Sequence, residues 1–212
     1  MDFLSGIVQN VLTVFYNVTN SIGFPSYGLA IILMTVMIKV ILYPVTAKQI
    51  SSMKAMSDLQ PKMKAIQEKY KNDKERLNVE LANLYKTEGI NPLAGCLPMI
   101  IQMPILIAIF YGIRDFSYVG TPSFLWLQSL AAPDPTYILP IVSALSTYVQ
   151  SKQTITDVTN PQNKVMLYFM PVFIGYISLT FPAGLVLYWI ITNFMQIGQQ
   201  WLMMQKEAAK AK

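Results

Sequence analysis

The sequence predicts an all-α integral membrane protein with five transmembrane helices, an N-terminal interfacial amphipathic helix and a cytoplasmic helical hairpin. Composition is the first reason: 53% of the 212 residues are hydrophobic and only 13% are charged, whereas soluble domains carry roughly 25% charged residues. The second reason is the recurrence of apolar segments close to the length of a membrane span. The third is the distribution of basic residues, which fall almost entirely between alternate apolar segments.

Residues 1–24 are predicted to contain the amphipathic helix. Its apolar face comprises Phe3, Leu4, Ile7, Val8, Val11, Leu12 and Phe15. Either this face lies in the membrane interface, or it packs on the surface of the helical bundle, and the pattern favours neither. A cleavable signal peptide is not indicated, because Asp2 is the only charged residue before Lys39.

Residues 26–203 are predicted to form a core of five spans. Hydropathy puts these spans at about 26–46, 94–113, 136–151, 165–180 and 183–203. Only the short segment Phe181 to Gly184 separates the last two spans, so we expect them to be antiparallel neighbours. An inverted-repeat transporter requires two matched halves, which five unequal spans do not supply.

The basic residues predict the orientation of the chain. Segment 47–93, loop 152–164 and the basic tail 204–212 all lie on one side of a five-span protein. They carry Lys48, Lys54, Lys62, Lys64, Lys69, Lys71, Lys74, Arg76, Lys86, Lys152, Lys164, Lys206, Lys210 and Lys212. Arg114 alone falls on the opposite side. The positive-inside rule therefore predicts an outside N-terminus and a cytoplasmic C-terminus.

Segment 47–93 is predicted to be the cytoplasmic helical hairpin, with a bend at Pro61, a cap at Asn72 or Asp73 and an end at Gly89. Apolar residues at helical spacing include Met53, Met56, Met63 and Tyr70 in the first arm and Leu77 and Leu84 in the second. Two interpretations remain open. The hairpin either is a solvated pair whose basic charge sets topology or contacts anionic lipid, or it receives a partner on methionine side chains that adapt to varied apolar surfaces.

Lys39 is the main candidate functional residue. It lies within the apolar run 27–46, where a charge costs roughly 2.5 to 3.5 kcal/mol on insertion scales. Either it extends to a lipid headgroup, or it faces protein or water. The run continues roughly 10 Å beyond it at 1.5 Å per residue, which is far for the first alternative.

Polar residues in other predicted spans are candidates for the surroundings of Lys39. They include Thr35, Gln102, Ser143, Ser146, Thr147, Gln150, Tyr188, Trp189, Thr192, Asn193 and Gln196. Each alone is explained as a contact between helices, but together with one unpaired cation they indicate a hydrated cavity. No acidic residue lies in any predicted span, so water is the expected neighbour of Lys39.

The sequence argues against an enzyme. It contains no histidine and a single cysteine, Cys96, so the spans supply neither a paired nucleophile and base nor a cluster of metal ligands. A proton relay is also not indicated, because such pathways are lined by acidic residues or histidines. We therefore expect no catalysis, no cofactor and no metal.

Short blocks along the chain resemble the YidC/Oxa/Alb family of membrane protein insertases. They are KVILYP (39–44), MKAM (53–56), LQPK (59–62), LYK (84–86), GINP (89–92), GCLP (95–98), QMP (102–104) and FPAGLVLYW (181–189) with Asn193. Each block is short, but the ordered set covers the chain from about residue 26 to 203. The chain resembles the minimal five-span bacterial form, without the large periplasmic domain of some members and without a lipoprotein cysteine.

The resemblance implies an insertase and chaperone of the bacterial inner membrane. A hydrophilic groove, open to cytoplasm and lipid but closed outside, would attract acidic residues of a client. The implied groove residues are Lys39, Thr35, Gln102, Gln150, Tyr188, Trp189 and Asn193. The resemblance also implies an apolar exit path for the client along spans two and four. The candidate residues of this path are Met99, Met103, Leu106, Phe110, Met166, Met170 and Phe173. The alternative is that these residues only pack against lipid or other helices. The family usually has arginine at the position of Lys39, and we expect a wet groove that keeps this lysine charged.

The implied partners are nascent membrane proteins and the bilayer. The ribosome, the signal recognition particle pathway and the Sec translocation channel are further candidates, while no specific nucleic acid is expected. A groove within one bundle requires only a monomer. A solute or ion pathway, or an assembly factor that inserts nothing, are the alternative functions.

Overall fold

The computed structural model describes residues 2–91, 97–155 and 161–210, which form the predicted all-helical fold. The helices are α1 (Asp2–Ser21), α2 (Tyr27–Ile41), α3 (Tyr43–Asp58), α4 (Gln60–Lys69), α5 (Lys74–Thr87), α6 (Leu97–Arg114), α7 (Ile138–Thr154), α8 (Pro161–Lys164), α9 (Met170–Ser178) and α10 (Ala183–Lys210). A π-helical stretch, Val165–Phe169, joins α8 to α9. The motif residues 92–96, among them Cys96, lie outside the described residues.

Local capping explains where several helices begin and end. The Ser26 side chain accepts a hydrogen bond from the Leu29 N–H at 3.3 Å and caps α2. Asp73 caps α5 by accepting from the Arg76 N–H at 3.0 Å, which confirms one of the two predicted caps. Gly89 follows α5 with a φ of 65°, a conformation that glycine adopts without strain.

A bend divides the predicted first span. Helix α2 ends at Ile41 and α3 begins at Tyr43, and the two axes meet at 66°. Pro44 lies in the first turn of α3, where it has no N–H to continue the hydrogen bonds of α2. The bend therefore lies inside the predicted span 26–46, whose bounds remain a prediction, and Lys39 lies in the last turn of α2, just before the bend.

The first arm of the hairpin also breaks earlier than predicted. Helix α3 runs to Asp58, and α4 begins at Gln60, with Leu59 between them. Pro61 falls in the first turn of α4, the position that tolerates a missing N–H best. The proline is therefore associated with the start of a new helix rather than with a bend inside one.

Within the described ranges, no single helix is by itself long and apolar enough to cross a membrane, whereas the bent pair α2 and α3 meets that criterion together. The number of spans therefore remains a prediction.

The core of the bundle lies where α2, α6 and α10 meet. Ile31, Met34, Ile109 and Ile113 are completely buried there. A methyl group added to Gly184 at the start of α10 would lie 3.0 Å from the Ile31 side chain and 3.1 Å from that of Ile113. The first turns of α2 and α10 therefore meet the last turn of α6, which defines one end of the bundle.

The loop 115–137 covers this end of the bundle, which we call the closed end. Its residues Leu127 and Leu130 are buried in the core. The backbone oxygens of Leu130 and Ala132 accept hydrogen bonds from the N–H groups of Gly184 and Ala183, at 2.9 and 2.8 Å. These bonds satisfy donors that the first turn of α10 would otherwise leave unpaired.

Helix α1 packs across the closed end. A methyl group added to Gly112, near the end of α6, would lie 2.5 Å from a Val8 methyl, and the Tyr16 ring stacks on the Tyr27 ring at 3.9 Å. Both contacts lie at the closed end, so this part of α1 crosses the bundle rather than following its length. The packing of Val8 supports the alternative in which the apolar face of α1 packs on the helical bundle. Phe3 is exposed, and its location in the membrane interface remains a prediction.

Helices α9 and α10 are not the packed neighbours that their short connection predicted. Among the described residues, α7 lies between them and packs on both. At Gly175 of α9, an added methyl group would lie 2.9 Å from the Ala144 methyl of α7, and the hydroxyls of Ser143 and Ser178 are 3.0 Å apart. The prediction was wrong because small and hydroxyl-bearing residues let α7 approach α9 closely, which the length of a turn does not reveal.

Asp134 is expected to stabilise the closed end in a pH-dependent way. It accepts hydrogen bonds from the Thr136 N–H at 2.9 Å and the Leu139 N–H at 2.8 Å. Burial alone would raise the pKa of its carboxyl group, but hydrogen bonds from Thr136, Leu139 and Trp126 outweigh burial and hold that pKa below its usual range.

This stabilisation is therefore present above the ordinary carboxyl pKa of about 3.9 and is lost as the pH falls through the lowered value. We expect Asp134→Ala to cost about 1 kcal/mol of unfolding free energy at pH 7, the usual effect of losing a cap. Thermal unfolding in detergent at pH 7 and pH 3 measures this. If native protein and Asp134→Ala differ in unfolding free energy by the same amount at both pH values, the role of the charged carboxylate would be contradicted.

Candidate functional site

A cavity of about 300 Å³ lies in the half of the bundle away from the closed end. Six helices contribute to its walls, α2, α3, α6, α7, α9 and α10. The lining residues are Lys39, Leu42, Val45, Thr46, Gln49, Ile101, Gln102, Met103, Leu106, Gln150, Met170, Ile174, Trp189, Thr192, Asn193 and Gln196. Polar and apolar side chains both face this space, so it suits a segment that carries both.

Lys39 is the only charged residue among the described residues that line this cavity. Its side chain is only 8% exposed, and its Nζ donates a hydrogen bond to Oε1 of Gln196 at 3.3 Å. The ammonium group thus has an amide oxygen of α10 as a hydrogen-bond partner, and its hydration remains a prediction. A neutral amide does not cancel the charge of a protonated lysine, so a charged Lys39 would be the single cation among the described lining residues.

The bend between α2 and α3 brings residues of both helices to the cavity. Thr46 and Gln49 of α3 line it together with Lys39 of α2. Gln199 of α10 holds the bend, because its Nε2 donates to the Thr46 hydroxyl at 2.7 Å and to the Tyr43 backbone oxygen at 3.3 Å. The bend and the cavity wall are therefore fastened to α10 at the same place.

Four of the other predicted groove residues line the cavity with Lys39, namely Gln102, Gln150, Trp189 and Asn193. Thr35 does not line it: this residue is completely buried, and its hydroxyl donates to the Ile31 backbone oxygen at 2.6 Å. A direct contact of Thr35 with a ligand would require the packing around α2 to open.

Tyr188 lies behind the cavity wall. Its side chain is 1% exposed, and its hydroxyl accepts a hydrogen bond from Gln102 Nε2 at 2.9 Å. This bond ties α10 to α6 and orients the Gln102 amide, which does line the cavity. Tyr188 can therefore influence the site through Gln102, although it does not line the cavity itself.

The polar groups of Trp189 and Asn193 are used to join α10 to α7. Trp189 Nε1 donates to the Thr147 hydroxyl at 3.0 Å. Asn193 Nδ2 lies 3.0 Å from the hydroxyls of both Ser146 and Thr147. Each of the two residues thus lines the cavity and also holds α10 to α7 by a hydrogen bond. Substituting either residue would therefore change ligand binding and protein stability together.

The candidate exit-path residues divide between the cavity and the outer surface. Met103, Leu106 and Met170 line the cavity, whereas Met166 and Phe173 are 47% and 40% exposed. Two candidates remain. Phe110 packs against Phe181, with ring centroids 5.6 Å apart, and the side chain of Met99 lies outside the described part of the chain.

Helices α6 and α9 pack mainly on different parts of the bundle. Among the described residues, α6 packs on α1, α3 and α10, whereas α9 packs on α7 and the π-helical stretch. Both helices line the cavity, α6 with Met103 and Leu106 and α9 with Met170 and Ile174. The cavity is thus flanked on this side by two helices that are fastened to other parts of the bundle.

The predicted hairpin is present as the antiparallel pair α4 and α5, continuing from α3. Lys62 forms an ion pair with Glu88, and the Tyr85 hydroxyl lies 3.5 Å from the Met63 sulfur. No residue of α4 or α5, all of which the structure describes, is fully buried. The candidate receiving residues Met53, Met56, Met63, Tyr70, Leu77 and Leu84 are all half-buried. Their role in receiving a client remains a prediction.

Gln49 is a cavity residue that was not among the predicted candidates. Its position in segment 47–93 assigned it to the aqueous hairpin, whereas α3 carries it back to the cavity, where it is buried. Thr46 and Gln49 are three residues apart, so they share one helix face. The same spacing identifies Gln49 once the predicted helix is extended beyond Thr46.

A helical bundle of this fold is found in a known class of membrane proteins. The chain belongs to the 60Kd inner membrane protein family, which it matches over residues 17–210. It is 46% identical over 177 residues to a protein of Cupriavidus necator named membrane protein insertase YidC, an alignment that covers 83% of this chain and 32% of that protein. A protein of Haemophilus influenzae with the same name is 41% identical over 203 residues, covering 95% of this chain and 35% of the relative.

The same likeness is found among solved structures. A crystal structure described as an active YidC insertase with the first transmembrane domain resolved matches with a TM-score of 0.72 at 28% identity. The match covers 91% of this chain and 45% of that one. The resemblance drawn from the sequence blocks is thus confirmed, and the chain spans about a third of the length of the curated relatives it matches.

Proposed function

We propose that this protein is a membrane protein insertase and chaperone that receives client segments in the cavity around Lys39 and releases them laterally into the bilayer. The observation that carries the proposal is a buried lysine, Lys39, in a cavity of mixed polar and apolar lining, in a chain whose relatives are named insertases. The closed end supports entry from the opposite side, which is the cytoplasm in the predicted orientation.

The cavity would lower the barrier to moving a polar segment across the membrane. A cavity that reaches partway through the bilayer shortens the apolar distance that the segment must cross. Lys39 would attract an acidic side chain in the short outer part of a client. The client's own apolar segment, about 20 residues long, then supplies the driving force by entering lipid, so no nucleotide is required.

The side of the cavity between α6 and α9 is the proposed exit. Met103, Leu106 and Met170 form the apolar part of the cavity wall on this side, and Met166 and Phe173 continue it on the exposed surface. Methionine side chains accommodate apolar segments of varied shape. A client would therefore slide between α6 and α9, whose main packing partners lie elsewhere in the bundle.

The remaining organisation follows from the same proposal. The five spans, the outside N-terminus, the cytoplasmic hairpin and the basic tail 204–212 orient the cavity toward nascent chains. The hairpin would receive the client before it reaches Lys39. One bundle contains the whole cavity, so a monomer suffices. Contacts with the ribosome, the signal recognition particle pathway or the Sec channel are additional and are not required by the cavity.

Insertion of a single-span client into liposomes containing the purified protein tests the function. We expect a protease-protected client fragment in amounts clearly above those in empty liposomes. A solute pathway would instead give ion or solute flux without insertion, and an assembly factor would bind folded membrane subunits without protecting a client. Either result, obtained with protein whose helical content is intact, would reject the insertase.

A further inference from the structure

We propose that Gln196 is a positioning residue that holds the Lys39 ammonium group toward the cavity while leaving its charge available to an acidic client. The inference rests on the proposed function and adds to it a residue of α10. It is carried by the hydrogen bond from Lys39 Nζ to Gln196 Oε1 at 3.3 Å, which joins two buried residues that both line the cavity.

The geometry divides the donors of the ammonium group. A lysine ammonium carries three N–H donors and no acceptor, so the atom of Gln196 that faces it must be the amide oxygen. One N–H is directed to that oxygen, which leaves two for a ligand in the cavity. Lysine has a long, flexible side chain, and a fixed acceptor on α10 reduces the number of positions that its Nζ can occupy.

The chemical type of the acceptor matters as much as its position. A neutral amide accepts the hydrogen bond without cancelling the charge, so the cavity retains one positive charge for a client carboxylate. A carboxylate at residue 196 would form an ion pair with Lys39 at a similar distance. Among the described residues, the cavity lining contains no acidic side chain that already does this.

Two substitutions separate these roles. Gln196→Met keeps an unbranched side chain of similar length but removes the acceptor, and Gln196→Glu keeps the acceptor but adds a negative charge. The readout is the ratio of insertion of a client with an acidic outer tail to insertion of the same client with a neutral tail. We expect Gln196→Glu to bring this ratio close to one and Gln196→Met to lower it several-fold, with neutral-tail insertion largely retained.

Gln200, one turn further along α10, provides the matched control. Its Nε2 donates to the Gln153 backbone oxygen at 3.0 Å, and Gln200 does not line the cavity around Lys39. Gln200→Glu and Gln200→Met should leave the acidic-to-neutral ratio at the native value. A purely structural role for Gln196 would lower insertion of both clients in parallel and leave their ratio unchanged.

The outcomes distinguish the inference from the function on which it rests. If native protein inserts neither client above the level of empty liposomes, the proposed function fails and the inference fails with it. If native protein prefers the acidic client and both Gln196 variants keep that preference within twofold, the positioning role alone is rejected. Circular dichroism of each variant in detergent verifies that helical content is retained.

Discussion

Substitution of Lys39 by alanine is expected to reduce insertion of a client with an acidic outer tail by about tenfold or more. Loss of a hydrogen bond to a charged group costs roughly 1.5 to 3 kcal/mol, and 1.4 kcal/mol corresponds to a factor of ten. Lys39 is the only cation among the described cavity residues, so no neighbouring lining residue replaces its charge. The measurement is the initial rate of client protection in liposomes.

Two comparisons make the Lys39 result specific to charge. Lys39→Arg should retain most of the activity, because arginine keeps the charge and is the usual residue at this position in the insertase family that the sequence resembles. A neutral-tail client should be inserted almost equally by the native, alanine and arginine proteins. Native rates for Lys39→Ala with the acidic client would exclude the charge from the mechanism while leaving the insertase itself intact.

The features predicted from sequence are those that local chemistry determines. Asp73 begins a helix because its short acidic side chain accepts a backbone hydrogen bond in the first turn, and Gly89 follows the same helix because it tolerates a positive φ. Lys39 is conspicuous because a charge within an apolar run is costly. The helical hairpin, the all-helical fold and the candidate cation could therefore be identified without coordinates.

The features that were missed depend on contacts between distant segments. Hydropathy continues through Pro44, so it does not reveal that α2 and α3 meet at 66° and that Gln199 fastens the bend. The position of α7 between α9 and α10 depends on Gly175 and on paired hydroxyls, which carry no signal in a hydropathy profile. Gln196 was among the polar candidates for the surroundings of Lys39, but the sequence does not reveal which of them the lysine contacts, because they lie on other helices far along the chain.

Polar residues of the cavity serve binding and packing together, and this limits what single substitutions reveal. Asn193 is a candidate client contact, yet its Nδ2 is within hydrogen-bond distance of the hydroxyls of Ser146 and Thr147 on α7. Removing it would leave buried groups unpaired, at about 1 to 3 kcal/mol. Lys39 and Gln196 are better probes, because comparing acidic and neutral clients separates a change in charge recognition from a general loss of stability.

The second large effect is expected at the closed end, where Gly28→Ala should destabilise the protein by about 1 to 3 kcal/mol, the usual cost of overpacking. A methyl group added to Gly28 would lie 2.1 Å from Cγ of the Phe124 ring. Because this is the base of the ring rather than its flexible end, the whole side chain must move. Leu127 and Leu130 of the same loop are buried in the core, so displacement of Phe124 should also loosen the cover of the closed end.

Thermal unfolding in detergent and hydrogen exchange of loop 115–137 measure these two consequences. Gly198→Ala is the matched control, because Gly198 is also helical but has open space around it, and the change should stabilise by about 0.5 to 1 kcal/mol. In a Phe124→Ala background the cost of Gly28→Ala should disappear, since the clashing ring is absent. A cost that persists in that background would show that Phe124 is not what restricts residue 28, and that the closed end is held by other contacts.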